Sequence, residues 1–153
     1  MKVTAVDHIN IVVKDLERSV RFYTEVLGLL EKKRAHLEGD WIERIVGLSG
    51  VSADVAYVEA VGGAPRIELL QYLSPKGESL PQCSNPNTTG LRHIAFRVED
   101  IHSMAERIEQ GGGKLFGPPV SVPNTVIRHD DGQKILCYFL DPDGVLLELA
   151  QYS

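Results

Sequence analysis

Four side chains stand out because they are polar within segments that are otherwise apolar. His8 and His93 each precede an isoleucine in a β-like run, while Glu68 lies in Ile67-Glu68-Leu69-Leu70 and Glu148 in Leu146-Leu147-Glu148-Leu149-Ala150. A carboxylate flanked so closely by aliphatic residues is costly unless something offsets its charge. Taken singly, each histidine reads as a hydrogen-bonded core or surface residue and each glutamate as a solvent-facing residue at a sheet edge. Taken together, two imidazoles and two carboxylates suit a divalent first-row cation, provided the fold brings them to one place.

Strand alternation decides which neighbours share their faces. In extended backbone, Asn10 and Val12 fall on the side of His8, and Ala95 and Arg97 on the side of His93. Asn10 and Arg97 are therefore candidates for substrate binding. An arginine there would hold a carboxylate or phosphate, or form an ion pair with Glu148.

The elements that must position these residues occur twice. Shifted by 85 residues, the chain aligns His8-Ile9 with His93-Ile94, Val13 with Val98, Asp15 with Asp100, Gly28 with Gly113 and Leu30 with Leu115. A shift of 80 aligns Arg66–Tyr72 with Leu146–Tyr152, including Glu68 on Glu148 and Gln71-Tyr72 on Gln151-Tyr152. The first copy carries the extra residues, which suit a short helix within Gly39–Leu48. Each copy reads as strand, helix and three strands. Asp15 and Asp100 are placed to cap the helices, and Leu16, Val20, Tyr23 and Leu27, matched by Ile101, Ala105, Ile108 and Gly112, form one helical face. The expected strands run over residues 5–13, 29–38, 52–61 and 66–73, then 90–98, 114–120, 134–140 and 145–152. The fold class is α+β with about eight strands: one domain over 1–153, with module 1 about 4–73, a linker about 74–89 and module 2 about 90–152.

Composition narrows the partners. The chain has 153 residues, with 16 Lys and Arg against 21 Asp and Glu, for a net charge of −5. No basic, aromatic-interleaved cluster occurs, so no nucleic acid and no anionic membrane are expected as partners. The start MKVTAVDHIN has no apolar signal segment and no apolar run is long enough to span a membrane, which predicts a cytoplasmic protein. Cys83 and Cys137 do not make a disulfide framework. His36, His102 and His129 read as rim or solvent-facing residues. Trp41, Tyr57, Tyr138 and Phe139 are either cavity-lining or core, and residues 117–132 are either a lid or an ordinary surface loop.

The motifs Asp7-His8-Ile9, Phe22-Tyr23, Leu27-Gly28-Leu29, Arg66-Ile67-Glu68-Leu69, Leu91-Arg92-His93-Ile94-Ala95-Phe96 and Asp141-Pro142-Asp143-Gly144, running into Leu147-Glu148-Leu149, together resemble the vicinal oxygen chelate superfamily. That group holds glyoxalase I, methylmalonyl-CoA epimerase, extradiol dioxygenases and the bleomycin and fosfomycin resistance proteins. The resemblance covers nearly the whole chain. It implies two βαβββ modules (the glyoxalase/bleomycin resistance/dioxygenase fold) forming a curled mixed sheet around a metal cavity. It also implies a divalent metal (Ni, Co, Mn or Zn) held by His8, Glu68, His93 and Glu148, and a homodimer.

The chemistry so implied is that of a metal-dependent lyase or isomerase of the glyoxalase I or epimerase kind. Such an enzyme acts on a small-molecule carbonyl or thioester substrate by proton transfer next to the carbonyl, with Glu148 or Glu68 as the base. Glu43 and Asp54 are further acids that could serve as a base. Val12 stands where glyoxalase I has an arginine for the glutathione carboxylate, which counts against glutathione. The Asp141–Gly144 segment departs from the epimerase pattern. Two alternatives come from the same superfamily: a metal-free sequestering protein of the bleomycin-resistance type, and an extradiol-type dioxygenase, which Glu68 disfavours.

Overall fold

The repeat appears in the backbone as two compact units, Met1–Ser79 and Leu80–Ser153. The computed structural model describes residues 2–79, 85–123, 125 and 132–153.

In the first unit, strand β1 (His8–Val12) leads into helix α1 (Leu16–Arg21), followed by β2 (Leu30–Glu38), α2 (Asp40–Val46), β3 (Ser52–Ala60) and β4 (Gly63–Ser74). The strands form one sheet in the order β1-β4-β3-β2. β1 runs parallel to β4 and the other pairs are antiparallel. A parallel pair needs a long crossover, which the helix supplies. The short helix expected in the first-copy insertion is α2, closed by Gly47 at φ 72°.

The second unit repeats the plan with β5 (Ile94–Arg97), α3 (Ile101–Gln110), β6 (Lys114–Leu115), β7 (Val120–Ser121), β8 (Lys134–Leu140) and β9 (Leu146–Tyr152). Its order is β5-β9-β8-β6, with β7 also pairing β8, and β5 is parallel to β9. Among the described residues nine strands stand where about eight were expected. The run expected over 114–120 splits in two because Pro118 and Pro119 cannot donate to a ladder.

Both caps form as predicted. The Asp15 carboxylate accepts from the Arg18 amide at 2.9 Å, and Asp100 accepts from the His102 and Ser103 amides at 3.1 Å each. A glutamine in the last strand of each unit then ties down the first helical amide: Gln71 Oε1 accepts from Leu16 N, and Gln151 Oε1 from Ile101 N, both at 2.8 Å. These matched contacts show the duplication directly. Gly113 lies against Ile108 and the Leu140 carbonyl so closely that a Cβ there would stand 2.5 Å from the Ile108 side chain.

Each sheet buries its helix-facing side. Leu16, Val20 and Tyr23 of the first helix are buried with Ala56, Val58, Ile67 and Leu69; Ile101, Ala105 and Ile108 of α3 are buried with Cys137, Phe139, Leu147 and Leu149. At about 1.5–3 kcal/mol for each large aliphatic side chain fully buried, these layers hold the strands in register. Leu27 departs from the expected stripe and is only half-buried. The helix continues over Phe22–Val26 as a wider π-helical turn, with Leu27 N bonded to Phe22 O, and the added residue rotates Phe22 into the core instead.

Candidate active site

The other face of each sheet carries one His–Glu pair. In the first unit the parallel register sets Asn10 opposite Glu68 and His8 opposite Arg66, which brings the imidazole within reach of the carboxylate. His8 Nε2 stands 3.6 Å from Glu68 Oε2. The far nitrogen, Nδ1, lies 2.8 Å from Asp7 Oδ2, and Asp7 in turn pairs with Arg66 at 2.7 Å. An ionised carboxylate only accepts, so Nδ1 is the donor to Asp7. The bonds from His8 and Arg66 also hold the Asp7 carboxyl below its ordinary range.

Glu68 is fixed by neutral donors. Asn10 Nδ2 donates to Oε2 at 2.7 Å, and the Tyr57 hydroxyl, on the neighbouring strand and directly opposite in register, donates to Oε1 at 2.5 Å. That bond, with burial, pushes the Tyr57 phenol up to about 12. Asn10, expected to bind substrate, donates to Glu68 in this structure.

In the second unit His93 immediately precedes β5 and Glu148 lies on β9, with Nε2 to Oε2 at 3.2 Å. Glu148 is one of the few buried charged residues, only 4% exposed. Its Oε1 accepts from Lys134 Nζ at 2.8 Å, a bond that raises the lysine above its ordinary value despite burial. Tyr138 occupies the register position matching Tyr57, opposite the glutamate, but here its ring packs against the His93 ring, centroids 5.0 Å apart.

The charge of each glutamate is thus offset by polar neighbours: Asn10 and Tyr57 for one, Lys134 for the other. The donor geometry also suits a cation. Two ligands each about 2.1 Å from a divalent ion lie about 3.0–3.4 Å apart at octahedral to tetrahedral angles, and the two nitrogen–oxygen separations fall close to that range. Among the described residues, no group of three or more His, Cys, Asp or Glu is placed to hold a metal ion. Each unit carries two of the candidate ligands.

The remaining candidates lie elsewhere. Asp54 is on the helix-facing side of β3, bonded at 2.6 Å to His36, whose imidazole it raises above the ordinary value. Glu43 accepts from the Gly50 amide at 2.8 Å and lines a surface cleft of about 370 Å³ beside α2 with Arg44 and Ser49. Neither acid reaches Glu68. Trp41 is exposed, whereas Phe139 and Cys137 are buried, and burial pushes the Cys137 thiol up to about 11. Arg97 lays its guanidinium over the Tyr152 ring at 4.7 Å. His102 is an exposed residue of the first turn of α3. His129, Cys83 and part of the expected lid, residues 124 and 126–131, lie outside the described residues.

Lys134 escaped sequence reasoning, as did the hydroxyl role of Tyr57. The signal for both was register: an antiparallel partner of the strand carrying the glutamate must place same-parity residues on its face, so Tyr57, Lys134 and Tyr138 are predictable neighbours once the hairpins are aligned.

The profile of the Glyoxalase/Bleomycin resistance protein/Dioxygenase superfamily matches residues 5–149. The chain is 30% identical over 149 residues to a 2-epi-5-epi-valiolone epimerase from an Actinomyces species, covering 95% of this chain and 78% of that protein. It is equally 30% identical over 149 residues to a probable lactoylglutathione lyase from Synechocystis, covering 95% and 94%. A solved glyoxalase family protein from Bacillus cereus superposes with a TM-score of 0.84 at 30% identity, covering 99% of this chain and 95% of that one.

Proposed function

Because the chain belongs to the Glyoxalase/Bleomycin resistance protein/Dioxygenase superfamily, we propose that it is a metal-dependent lyase or isomerase that moves a proton on a carbon next to a carbonyl. In this reading His8, Glu68, His93 and Glu148 are the ligands of one divalent ion, and both units contribute to a single domain. The chain works as a cytoplasmic homodimer on a small carbonyl or thioester compound, with nickel, cobalt, manganese or zinc as the ion. The observation that carries the reading is the duplicated Nε2-to-carboxylate approach, 3.6 and 3.2 Å, at matching positions of the repeat. Names among its relatives, an epimerase and a lyase, support the reaction class.

The metal, when bound, polarises the substrate carbonyl and lowers the cost of developing negative charge on its oxygen. The chain's own groups handle the proton. One glutamate carboxylate accepts it from the carbon next to the carbonyl; in an epimerisation the other glutamate, as its acid, delivers a proton to the opposite face of that carbon, and in an isomerisation the first returns its proton to the adjacent carbon. Asn10 and Tyr57 hold Glu68 in a fixed orientation, so its lone pairs are preorganised. Lys134 holds one oxygen of Glu148 and leaves the other toward His93.

The test is elemental analysis of desalted protein with solvent-deuterium exchange into hemithioacetals and acyl-CoA epimers. About one first-row metal per chain, lost in His8→Ala and Glu148→Gln, with exchange abolished by Glu148→Gln, is expected. Full exchange in Glu148→Gln would overturn the assignment. One observation favours a second reading: Lys134 already neutralises Glu148. Protein that stays metal-free after reconstitution would point to a sequestering protein.

A further inference from the structure

The first unit closes a ring of contacts around its His–Glu pair. His8 Nδ1 donates to Asp7 Oδ2 at 2.8 Å, and the same oxygen accepts from Arg66 Nη2 at 2.7 Å. The Arg66 guanidinium lies over the Tyr57 ring, 5.4 Å from its centroid, and the Tyr57 hydroxyl donates to Glu68 Oε1. Glu68 Oε2 stands 3.6 Å from His8 Nε2, which completes the ring. The His8 and Tyr57 rings also meet edge to face, centroids 6.4 Å apart. Register puts Arg66 in this place: it pairs with His8 across β1 and β4, and it precedes Glu68 by two residues on the same strand face.

The second unit does without this device. The residues matching Asp7 and Arg66 in the repeat are Arg92 and Leu146, and Leu146 is buried. The fold therefore requires neither a carboxylate before the histidine nor a cation two residues before the glutamate. An exposed carboxylate beside a histidine holds the ring weakly by itself, because water competes for both partners. Here the carboxylate is itself held, by a guanidinium seated on an aromatic face, so the contact loses less freedom each time it forms.

We propose that Asp7 and Arg66 are positioning residues: Arg66, seated on Tyr57, fixes the Asp7 carboxylate, and Asp7 keeps the His8 proton on Nδ1, leaving Nε2, which faces Glu68, free to ligate a divalent ion. The inference rests on the proposed function for the ion and on the ring of contacts alone for the proton. A neutral imidazole carries its one proton on either nitrogen, and only the bare nitrogen can ligate. An acceptor for the far N–H selects one of the two forms, fixes the rotation of the ring and makes the ligating nitrogen a better donor. Arg66 adds a second effect, since it touches both arms of the ring: through Asp7 it acts on His8, and through Tyr57 on Glu68. His93, backed by the Tyr138 ring, has its orientation set by packing. The two histidines are then unequal ligands, with the first held by a charge pair.

The experiment records the ring nitrogen NMR shifts of His8 and His93 in the metal-free full chain, then titrates each sample with zinc. Four proteins are compared: the parent, Asp7→Ala, Asp7→Asn and Arg66→Leu, the last copying the second unit. In the parent the neutral His8 ring is expected as the Nδ1–H form. Asp7→Ala should mix the two forms and weaken zinc binding about tenfold or more. Arg66→Leu should do both to a smaller extent, and Asp7→Asn, which keeps an acceptor oxygen, should restore part of each loss. The His93 shifts should stay in place throughout, which separates positioning from damage to the fold. Asp7 is exposed and Arg66 partly so, and neither replacement opens the core. A parent His8 in the Nε2–H form, zinc affinity unchanged in Asp7→Ala, or His93 shifts that move as far as those of His8 would overturn the proposal. If the parent takes up no zinc while Asp7→Ala still changes the His8 form, the metal reading falls and the orientation of His8 by Asp7 stands.

Discussion

The two His–Glu pairs occupy matching positions of one duplicated plan, yet they are supported by different physics. Glu68 is held by neutral donors on a partly open face, and His8 is oriented by an Asp7–Arg66 pair at the surface. Glu148 is buried and held by a lysine, and His93 is backed by an aromatic ring. A neutral donor can be exchanged for water at small cost. A charge buried against a charge cannot, because removing either partner strands the other. The duplication thus preserves the geometry of the His–Glu pairs while the second copy gains a fixed, lower-dielectric electrostatic environment.

The sharpest way to break this comparison is to remove each carboxylate in turn from metal-free protein and follow urea unfolding. Glu148→Ala leaves the half-buried Lys134 without its anion and is expected to cost about 2–4 kcal/mol. Glu68→Ala leaves only an amide and a hydroxyl to be rehydrated, about 1–2 kcal/mol. The double variant Lys134→Met/Glu148→Leu should recover most of the larger loss, since no charge remains buried. Equal costs for the two single variants would mean that the two environments do not differ as described.

A smaller effect separates the two tyrosines. Tyr57→Phe removes a hydrogen bond to Glu68 and should cost about 1 kcal/mol, with metal affinity down about tenfold. Tyr138→Phe keeps the ring that packs on His93 and should change stability by less than about 0.5 kcal/mol. Isothermal titration of the two variants with zinc checks the ranking; a larger loss in Tyr138→Phe would reverse the roles assigned here.

Much of this was legible in the chain because local rules and the repeat agree. Asp15 and Asp100 could be read as caps, the α2 insertion from its apolar spacing, and the four candidate ligands from polar residues recurring in matched strands. What failed to show was set by register rather than by period. Lys134 looked like an ordinary strand-end residue until β8 was aligned with β9, where its side chain must lie on the face of Glu148. Asn10 was placed on the correct face, but only the parallel pairing of β1 with β4 shows that it meets Glu68. The wider turn over Phe22–Val26 likewise shifts Leu27 off a stripe that a regular helical period predicts.

The smallest difference between the copies lies at the helix starts, and it can be read by pH. Asp100 accepts from two amides and from the Ser103 hydroxyl at 2.7 Å. That hydroxyl bond first, and the amide bonds after it, lower the Asp100 carboxyl below 3.8. In the first copy the position matching Ser103 is Arg18, which offers the Asp15 cap its amide but no hydroxyl. A carboxyl whose folded value is depressed contributes stability that is complete above the unfolded value and disappears as pH falls through the folded one. Between those two values Asp100 therefore still holds the α3 cap after the same carboxyl in an unfolded chain has taken its proton. Carboxyl-carbon NMR of Ser103→Ala should show the Asp100 midpoint moving up toward 3.8, with α3 fraying at higher pH than in the parent. An unmoved midpoint would assign the depression to the amides alone and leave the two helix starts equivalent.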